Sequence, residues 1–336
     1  MIKGYGLKRA LALLALLIIA LGLVSLGAGM GSSTREKNAA GPTGTIFVTG
    51  ADDPQTPFLE TFAVDLADSS QTRIGEDSAS VGIFYSFSLG GRNVAFIGMT
   101  KTRLDAAAAH QASVGSIMQL YEASLSEDHR LPLPTQATQI SNTDALSKTS
   151  PAISDDGAQV LYVAADAPSP SATSSMIHLV SHGTDTPLTA GFNPRWVSNT
   201  AFYYIAQDGV RLYDTASHQS DLVLPVDGQA NVKIGLSGDK TLLAFSDPDA
   251  GQVYFYRLSN NGRLLTPVST LKLRGFWVVF SPDSKYAAIQ TAQGDDPNAL
   301  THPALIVIDT ATFQTVKTVP LDPLLNDRLF VTAWQS

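Results

Sequence analysis

Short apolar runs separated by tight polar turns recur along most of the chain. The clearest case is residues 280–289, which read Phe-Ser-Pro-Asp-Ser-Lys-Tyr-Ala-Ala-Ile. Ser-Pro-Asp-Ser favours a type I turn, because serine suits the first position, proline presets φ at the second and aspartate is tolerated at the third. The pattern therefore predicts a strand, a turn and a second strand. Weaker copies lie at residues 87–91, 153–157 and 236–240, and a degraded copy lies at residues 196–199.

The copies of this turn are spaced as the blades of a β-propeller are. Turns at Ser154, Val197, Ser237 and Ser281 follow one another about every 40–45 residues. The interval from Ser88 to Ser154 is longer, and we interpret it as one unit that carries insertions. Large side chains recur eight residues after each clear serine, on the predicted second strands: Phe96, Tyr162, Phe245 and Ile289.

Four strands can be assigned within one unit. Alternating polarity and a high content of β-branched and aromatic residues favour strands throughout, except for the helix-leaning residues 104–111 in an insertion. In the last complete unit the strands are predicted at residues 276–280, 286–291, 305–309 and 313–319. Third strands of the other units are predicted at residues 62–65, 119–122, 177–180, 211–214 and 254–257.

The two ends of residues 42–336 complete one unit. Residues 331–336 read as a first strand and the opening of a turn, whereas residues 42–48 read as the close of a turn and a second strand. We therefore predict a blade with its innermost strand from the C-terminus, where Trp334 is buried, and its other strands from residues 46–74. Pairing the ends closes the ring and removes exposed sheet edges, which gives six four-stranded antiparallel blades in an all-β fold.

A large apolar residue precedes each of the six turns. Large apolar residues that recur at the period of a structural repeat normally belong to the core. We therefore assign them to packing between neighbouring blades. These column residues are Phe87, Ile153, Trp196, Leu236, Phe280 and Trp334.

Residues 1–30 are predicted to be a signal peptide or a membrane anchor. A basic start is followed by an uncharged apolar run at residues 10–26, near the lower limit of about 17–25 residues that span a bilayer. The sequence leaves cleavage open, and either outcome places the rest outside the cytoplasm, in the periplasm or at the cell surface. Residues 31–41 are small and polar and are expected to form a flexible tether before the propeller. The basic residues are Lys3, Lys8 and Arg9.

Composition narrows the possible chemistry. The chain has 336 residues, 44% of them hydrophobic, so it can bury a large core. It has no cysteine, which excludes disulfides, thiolate metal sites and a cysteine nucleophile. The net charge of −8 and the lack of a basic stripe argue against a nucleic-acid partner.

The turn pattern resembles that of the TolB-like propeller repeats, in which an apolar residue or tryptophan precedes Ser-Pro-Asp-Gly and an apolar strand. The resemblance covers residues 42–336, is best at 280–289 and 153–162, and is loose at 196–205. It implies a six-bladed propeller, often in the periplasm or on the outer surface, that serves protein interaction. The chain departs from TolB because the N-terminal α/β domain is missing, so the partners of TolB are not carried over. One fold hosts many functions.

No catalytic or cofactor motif stands out. The chain lacks a G-x-S-x-G elbow, an H-E-x-x-H pair and a phosphate-binding glycine loop. Residues 247–251 resemble the start of a calcium loop, but the downstream glutamate is missing, and a hairpin turn is the simpler interpretation. His178 and His182 could share a strand face, yet no third ligand is evident, and we interpret them as incidental surface residues. No cofactor and no metal are predicted.

The long insertions are all predicted to connect second and third strands and so to emerge on one face. They are residues 50–57, 101–115, 164–175 and 292–303, and a long link at residues 133–150 joins two blades. Loops held by a rigid scaffold often carry function, although exposed loops are polar in any case. Acidic residues in the predicted loops form a candidate binding face: Asp52, Asp53, Asp105, Asp166, Asp247, Asp249, Asp295 and Asp296.

Three functions are compatible with these features. The leading hypothesis is a non-catalytic extracytoplasmic binding module for a protein or envelope component, bound on the long-loop face and tethered to the membrane if the N-terminal helix is retained. The alternative is a propeller enzyme of the lactonase or glycan-lyase type with its site at the channel mouth. A purely structural spacer is the third. Acidic loop side chains that converge on one spot at the channel mouth would favour the enzyme. Acidic loop side chains spread along the rim of the face would favour the binding module.

Overall fold

Nearly all regular structure in the described part of the chain is β-strand. The computed structural model describes residues 41–50, 60–74, 80–100, 102, 105, 118–125, 131–141, 147–166, 174–226, 232–293, 301–321 and 330–335. The chain separates into two compact units, and the second, Pro42–Ser336, is the propeller. Within the described ranges, no helix is both long and apolar enough to cross a membrane.

Each blade is a four-stranded sheet whose strands follow one another from the channel outward. Blade 1 comprises β24 (Phe330–Gln335), β1 (Thr45–Gly50), β2 (Glu60–Asp65) and β3 (Gln71–Ile74). Blade 2 comprises β4 (Ser80–Phe87), β5 (Asn93–Thr100), β6 (Gln119–Ser124) and β7 (Thr138–Gln139), with a 3-10 turn at Pro134–Gln136. Blade 3 comprises β8 (Ser147–Ile153), β9 (Gln159–Ala165), β10 (Ser175–Ser181) and β11 (Thr184–Ala190).

The other three blades have the same order. Blade 4 comprises β12 (Phe192–Ser198), β13 (Ala201–Ala206), β14 (Gly209–Asp214) and β15 (Gln219–Pro225). Blade 5 comprises β16 (Lys233–Leu236), β17 (Leu242–Asp247), β18 (Gln252–Ser259) and β19 (Leu264–Leu271). Blade 6 comprises β20 (Gly275–Phe280), β21 (Tyr286–Gln293), β22 (Thr301–Asp309) and β23 (Thr315–Pro320).

The six first strands surround a central channel. Each contacts the first strand of the next blade, in the closed order β24, β4, β8, β12, β16, β20 and back to β24. Every pairing within a blade is antiparallel, as for β1 with β2 and β24. The prediction of an all-β propeller with six four-stranded blades is confirmed, whereas the predicted N-terminal helix lies outside the described residues.

The two ends of the propeller meet in blade 1, as predicted. Ile46 on β1 lies opposite Trp334 on β24. Trp334 is only 6% exposed, and its indole Nε1 donates to the Thr43 carbonyl at 3.1 Å. Gly44 has φ of +99°, and a Cβ there would clash with the Gln335 carbonyl oxygen. Glycine is therefore required where the ends of the ring pass each other.

A buried serine organises the turn between first and second strands. Ser281 Oγ accepts the Tyr286 backbone N–H at 3.0 Å and donates to Asp283 Oδ1 at 2.7 Å. Its carbonyl also accepts the Ser284 N–H at 2.9 Å, which gives the i to i+3 bond of the predicted turn. The same hydroxyl pattern recurs at Ser154 and Ser237. The serine side chain thus connects the first and second strands of a blade at the turn, where the hydrogen bonds between their backbones end.

The column residues join neighbouring blades, which confirms their assignment. Each lies in, or packs against, a hydrophobic cluster that includes the preceding blade. Examples are Trp196 with Leu161, Phe280 with Phe255, and Trp334 with Val307. Phe87 also contacts Phe47, with ring centroids 5.7 Å apart.

Side-chain hydrogen bonds cross all six seams between blades. In each, a side chain of one blade bonds to a backbone group on the first strand of its neighbour, the strand that has no partner on its channel side. Around the ring these bonds are Thr61 Oγ1 to Gly82 O at 3.0 Å, Ile153 N to Ser86 Oγ at 3.2 Å, Trp196 Nε1 to Ala152 O at 2.8 Å, Ile234 N to Asn193 Oδ1 at 2.7 Å, Ser246 Oγ to Phe276 O at 2.7 Å, and Val331 N to Gln290 Oε1 at 3.3 Å.

Three predicted boundaries are wrong. The third strand of blade 6, predicted at residues 305–309, begins at Thr301, within the predicted insertion at residues 292–303. The fourth strand of blade 6, predicted at residues 313–319, runs over Thr315–Pro320, because Phe313 has φ of +56° in the turn and packs against Phe255 at 5.1 Å. The predicted link at residues 133–150 contains β7 and the start of β8. A two-residue polar strand gives no alternating apolar signal, so β7 could not be found. All four long insertions do connect second and third strands, as predicted.

Replacing Trp334 tests ring closure. Trp334→Ala should lower the free energy of unfolding by about 3–5 kcal/mol, because it removes a large buried side chain at the seam between blades 6 and 1. Chemical denaturation monitored by circular dichroism measures the change. As a control, Leu264→Ala alters a residue that is 56% exposed and should shift stability by about 0.5 kcal/mol or less. Equal stability of both variants would contradict closure through Trp334.

The turn aspartates should make stability depend on acid pH. Hydrogen bonds from the Ser154 hydroxyl and then the Ala158 N–H hold the pKa of Asp156 below its ordinary value of 3.8. Its stabilising contribution is therefore complete above about pH 4 and is lost as the pH falls through the lower folded-state pKa. Thermal unfolding between about pH 2 and pH 7 should show a shallower acid decline in Asp156→Asn than in the wild type. Identical declines would count against this role.

Candidate functional site in the central channel

The channel opens into a cavity on the face that carries the Ser-Pro-Asp turns. Its volume is about 440 Å³, and residues of all six blades line it. The six column residues form its wall. Leu89, in the turn of blade 2, is 63% exposed at its rim, where Lys240 and Asp155 also form an ion pair at 3.1 Å. The cavity wall thus has polar and apolar surface in similar amounts, and the rim carries a charged pair.

β-Bulges interrupt five of the first strands. In β24 the pairing with β1 shifts at Thr332. In the other four, the pairing with the second strand shifts around Phe84, Ser150, Asn193 and Trp277. Three of these residues have left-handed backbones, with φ of +55°, +51° and +54° for Phe84, Ser150 and Asn193. Bulges turn side chains away from the regular alternation of a strand. They therefore change what the first strands present toward the channel.

Arg195 brings a positive charge into the cavity wall. It lies on β12 just before Trp196, and its Nη1 donates to the Pro194 carbonyl at 2.8 Å. No acidic side chain among the described residues forms an ion pair with it. Burial among protein atoms lowers its pKa to about 10, which leaves the guanidinium charged at neutral pH.

Lys233 places a second cation on the next first strand, β16. Its Nζ lies 5.2 Å from the centre of the Phe192 ring and 5.4 Å from that of Trp277, both within cation–π distance. Burial, followed by the nearby charge of Arg195, lowers the pKa of Lys233 to about 8. The two cations are therefore close enough to interact.

Aromatic rings continue from Lys233 around the channel. Phe330 contacts Trp277 at 5.7 Å and Phe84 at 5.3 Å, both edge to face. We call this set the aromatic belt, and it extends over five blades through Phe84, Phe330, Trp277, Lys233 and Phe192. Its members precede the column residues by three or four positions, so the belt lies about 10 Å further from the turn face.

Asn193 is a buried polar residue with one satisfied end. It is 0% exposed, and its Oδ1 accepts the Ile234 N–H at 2.7 Å. Its Nδ2 has no hydrogen-bond acceptor within the described structure. A backbone N–H can donate only to the oxygen of a side-chain amide. This hydrogen bond therefore fixes the assignment of Oδ1 and Nδ2 in Asn193.

The structure describes part of the predicted acidic face. Asp52, Asp53, Asp295 and Asp296 lie outside the described residues. Asp105, Asp166 and Asp249 are exposed, whereas Asp247 is 8% exposed and its Oδ1 accepts the Ala250 N–H at 2.9 Å in the predicted hairpin turn. The binding role of all eight acids stays a prediction.

The interpretation of His178 as an incidental surface residue is wrong. Its side chain is 14% exposed, and its Nδ1 lies 2.9 Å from Asp185 Oδ1. The buried Tyr162 hydroxyl donates to Asp185 Oδ2 at 2.6 Å, so the three side chains form a polar cluster in blade 3. His182 instead lies in the following turn with φ of +50°. No three acidic or histidine side chains of the described residues are grouped so that they could hold a metal ion.

Sequence reasoning missed the residues that line the channel. A signal was present, because Arg195 and Lys233 are cations within first strands that also carry large apolar residues, and a charged side chain is seldom placed in a core. A cation in a first strand indicates that its charged group reaches the channel, which is the nearest polar space. Asn193 precedes a proline, which disfavours the helical backbone and marks an irregular strand.

Comparison with known proteins gives structural likeness only. No family model and no curated protein matches the chain. TolB from Acinetobacter baumannii has a TM-score of 0.56 at 14% identity, over 87% of this chain and 66% of that one. A chain of a nidogen/laminin complex has a TM-score of 0.54 at 14% identity, over 85% and 97%. The Pseudomonas aeruginosa periplasmic gluconolactonase PpgL has 0.49 at 15% identity, over 82% of each.

This chain therefore spans less than two thirds of the TolB chain that it matches. At such low identity the likeness establishes fold and nothing further. The chain has a six-bladed propeller fold similar to that of TolB, in agreement with the resemblance of its turns.

Proposed function

We propose that this protein is a non-catalytic binding module that acts outside the cytoplasm and binds a protein or an envelope component at the turn-face mouth of its channel. The cavity of about 440 Å³ carries this proposal. It is concave, residues of all six blades line it, and it combines large apolar side chains with polar groups, which are properties of binding sites.

Leu89 strengthens the case for this face. It is the most exposed of the large apolar residues described, at 63%, and it lies at the cavity rim. An exposed leucine beside the large apolar side chains of the cavity extends the apolar surface that a partner could cover. One of the similar chains comes from a nidogen/laminin complex, which is consistent with protein binding by this fold.

The acidic long-loop face remains a second possible partner surface. Its support is the strand order, in which the ends of the second strands that lead to the third strands lie opposite the turns between first and second strands. The lactonase or glycan-lyase alternative also stays a prediction, and no observation on the described residues favours it over binding.

Substitution of Leu89 tests the partner face. A partner cross-linked to the wild-type domain in an envelope extract should bind Leu89→Arg at least tenfold more weakly, because a charge would have to be buried at the contact. Leu264→Arg is the matched control, since Leu264 is 56% exposed on β19. Both variants should keep the wild-type melting temperature.

The result assigns the face. Undiminished binding by Leu89→Arg would contradict the proposal for the turn face. If a variant with Asn at positions 52, 53, 295 and 296 lost binding instead, the partner would use the long-loop face.

Export is tested in cells. The basic start and the apolar run at residues 10–26 predict that the propeller faces outward. Protease added to intact spheroplasts should digest it as completely as an outward-facing control protein. Full protection while the control is digested would contradict an extracytoplasmic location.

A further inference from the structure

We infer that a groove between blades 4 and 5 continues the channel cavity outward on the turn face, and that the two together bind an extended peptide segment of a partner. The groove has a volume of about 590 Å³, and residues of both blades line it, including Ser198 and Thr200 on one side and Ser259 on the other. It extends the site of the proposed function and rests on that function, because it names the part of the partner that is bound.

The groove and the channel cavity meet along one strand and at one side chain. Trp196 lines the cavity, and the next residue of β12, Val197, lines the groove. Lys240, in the turn of blade 5, lines both spaces. A chain that leaves the cavity past Lys240 therefore enters the groove directly.

The short turn of blade 4 opens this passage. Asn199 and Thr200 separate β12 from β13, whereas residues 154–158 separate β8 from β9 and residues 237–241 separate β16 from β17. The shorter turn leaves a low point in the rim between two longer turns. Asn199 Nδ2 donates to Asp156 Oδ2 at 2.8 Å, which fixes the short turn to blade 3, on the side away from the groove.

Lys240 forms a movable boundary between the two spaces. Its Nζ lies 3.1 Å from Asp155 Oδ1, and both side chains are partly exposed. Partly exposed ion pairs contribute little to stability, so a bound peptide that displaces this contact loses little. The ammonium group has three N–H donors, and a peptide carbonyl that passes it accepts one of them.

The charges along the combined surface are balanced, which favours a peptide over a strongly charged polymer. The lining residues of the two spaces include three acids and three bases: Asp155, Asp214, Asp221, Arg195, Lys240 and Arg263. Lys240 pairs with Asp155 at the boundary. Arg263 pairs with Asp221 in the groove. Such a surface has no net attraction for a nucleic acid or another polyanion.

The groove lining matches the groups of an extended peptide. Val197, Leu212 and Leu258 supply apolar surface. Gln219 and Asn261 present exposed side-chain amides, each with donors and an acceptor for backbone groups. From β12 to β15 the groove crosses three strand spacings, about 14 Å, which is the length of about four residues of extended chain.

Phage display followed by direct binding tests the groove. A library of linear peptides of about 12 residues, long enough in extended form to occupy both spaces, is selected on the purified full-length protein. The enriched peptide is synthesised with a fluorescein label, and fluorescence anisotropy gives its Kd. We expect enrichment on this protein and none on an unrelated protein immobilised in the same way.

Two variants fill the groove from its opposite walls. Ser259→Trp and Gln219→Trp should each weaken the peptide about tenfold or more, because an indole ring occupies the space of the bound chain. Thr186→Trp, at an exposed position of β11 outside both spaces, is the control and should change the Kd less than about twofold. All three positions are exposed, so the melting temperature should stay that of the wild type. Either groove variant suffices if the other does not fold.

Truncation of the peptide shows whether it spans both spaces. Residues are removed from one end and then from the other. Loss of the end that lies in the groove should weaken binding to the wild type and leave binding to Ser259→Trp unchanged, because the contacts of that end are already missing in the variant. Equal losses in both proteins at both ends would contradict a peptide that runs through the groove.

Three further results would overturn the peptide groove. The first is that no linear peptide is enriched. The second is that Leu89→Arg loses the peptide while both groove variants keep it, which leaves the proposed function standing and excludes only the groove. The third is that soluble peptidoglycan fragments bind in place of peptides and are weakened by Ser259→Trp, which would make a glycan the occupant. Undiminished partner capture by Leu89→Arg counts against the proposed function alone.

Discussion

The free edge of each first strand is the constraint on which this structure depends. A first strand pairs with the second strand on one side and faces the channel on the other, so part of its backbone has no partner within its own sheet. The chain meets this need with side chains, one or more at every seam. Asn193 and Gln290 accept backbone N–H groups of the next blade, and Thr61, Ser246 and Trp196 donate to carbonyls. The contacts that pack neighbouring blades together therefore also provide hydrogen-bond partners for backbone groups of the first strands.

The same irregular first strands also carry polar side chains. Regular pairing is interrupted at the bulges, and the unpaired residues there must be stabilised by side chains or by whatever enters the channel. Asn193 Oδ1 accepts a backbone N–H of β16, whereas its Nδ2 has no hydrogen-bond acceptor among the described residues. Arg195 follows two residues later on the same irregular strand. The irregular strand that contributes to closure thus also brings the charge of Arg195 to the cavity that residues of all six blades line.

The sequence predicted those parts of the fold that repeat. The turn serines, the column residues and the split blade all arise from a local pattern that is copied several times, so weak copies could be aligned with strong ones. The short strand β7 was missed because two exposed polar residues carry no alternation. His178 was misassigned because its partner Asp185 lies on the adjacent strand β11, and pairing register is not visible in one sequence. The channel residues were missed for a related reason, since Arg195 and Lys233 occur once each and follow no repeat.

The column residues connect structure and proposed function. Trp196 and Phe280 fill the seams with their preceding blades, which accounts for their large size. Their position just before the turn also places them at the channel mouth. The apolar part of the wall is thus a consequence of closing the ring, whereas Leu89 and Arg195 are not needed to fill a seam. Side chains that the fold does not demand are the ones most informative about ligands, and in this channel they add exposed apolar surface at the rim and positive charge inside.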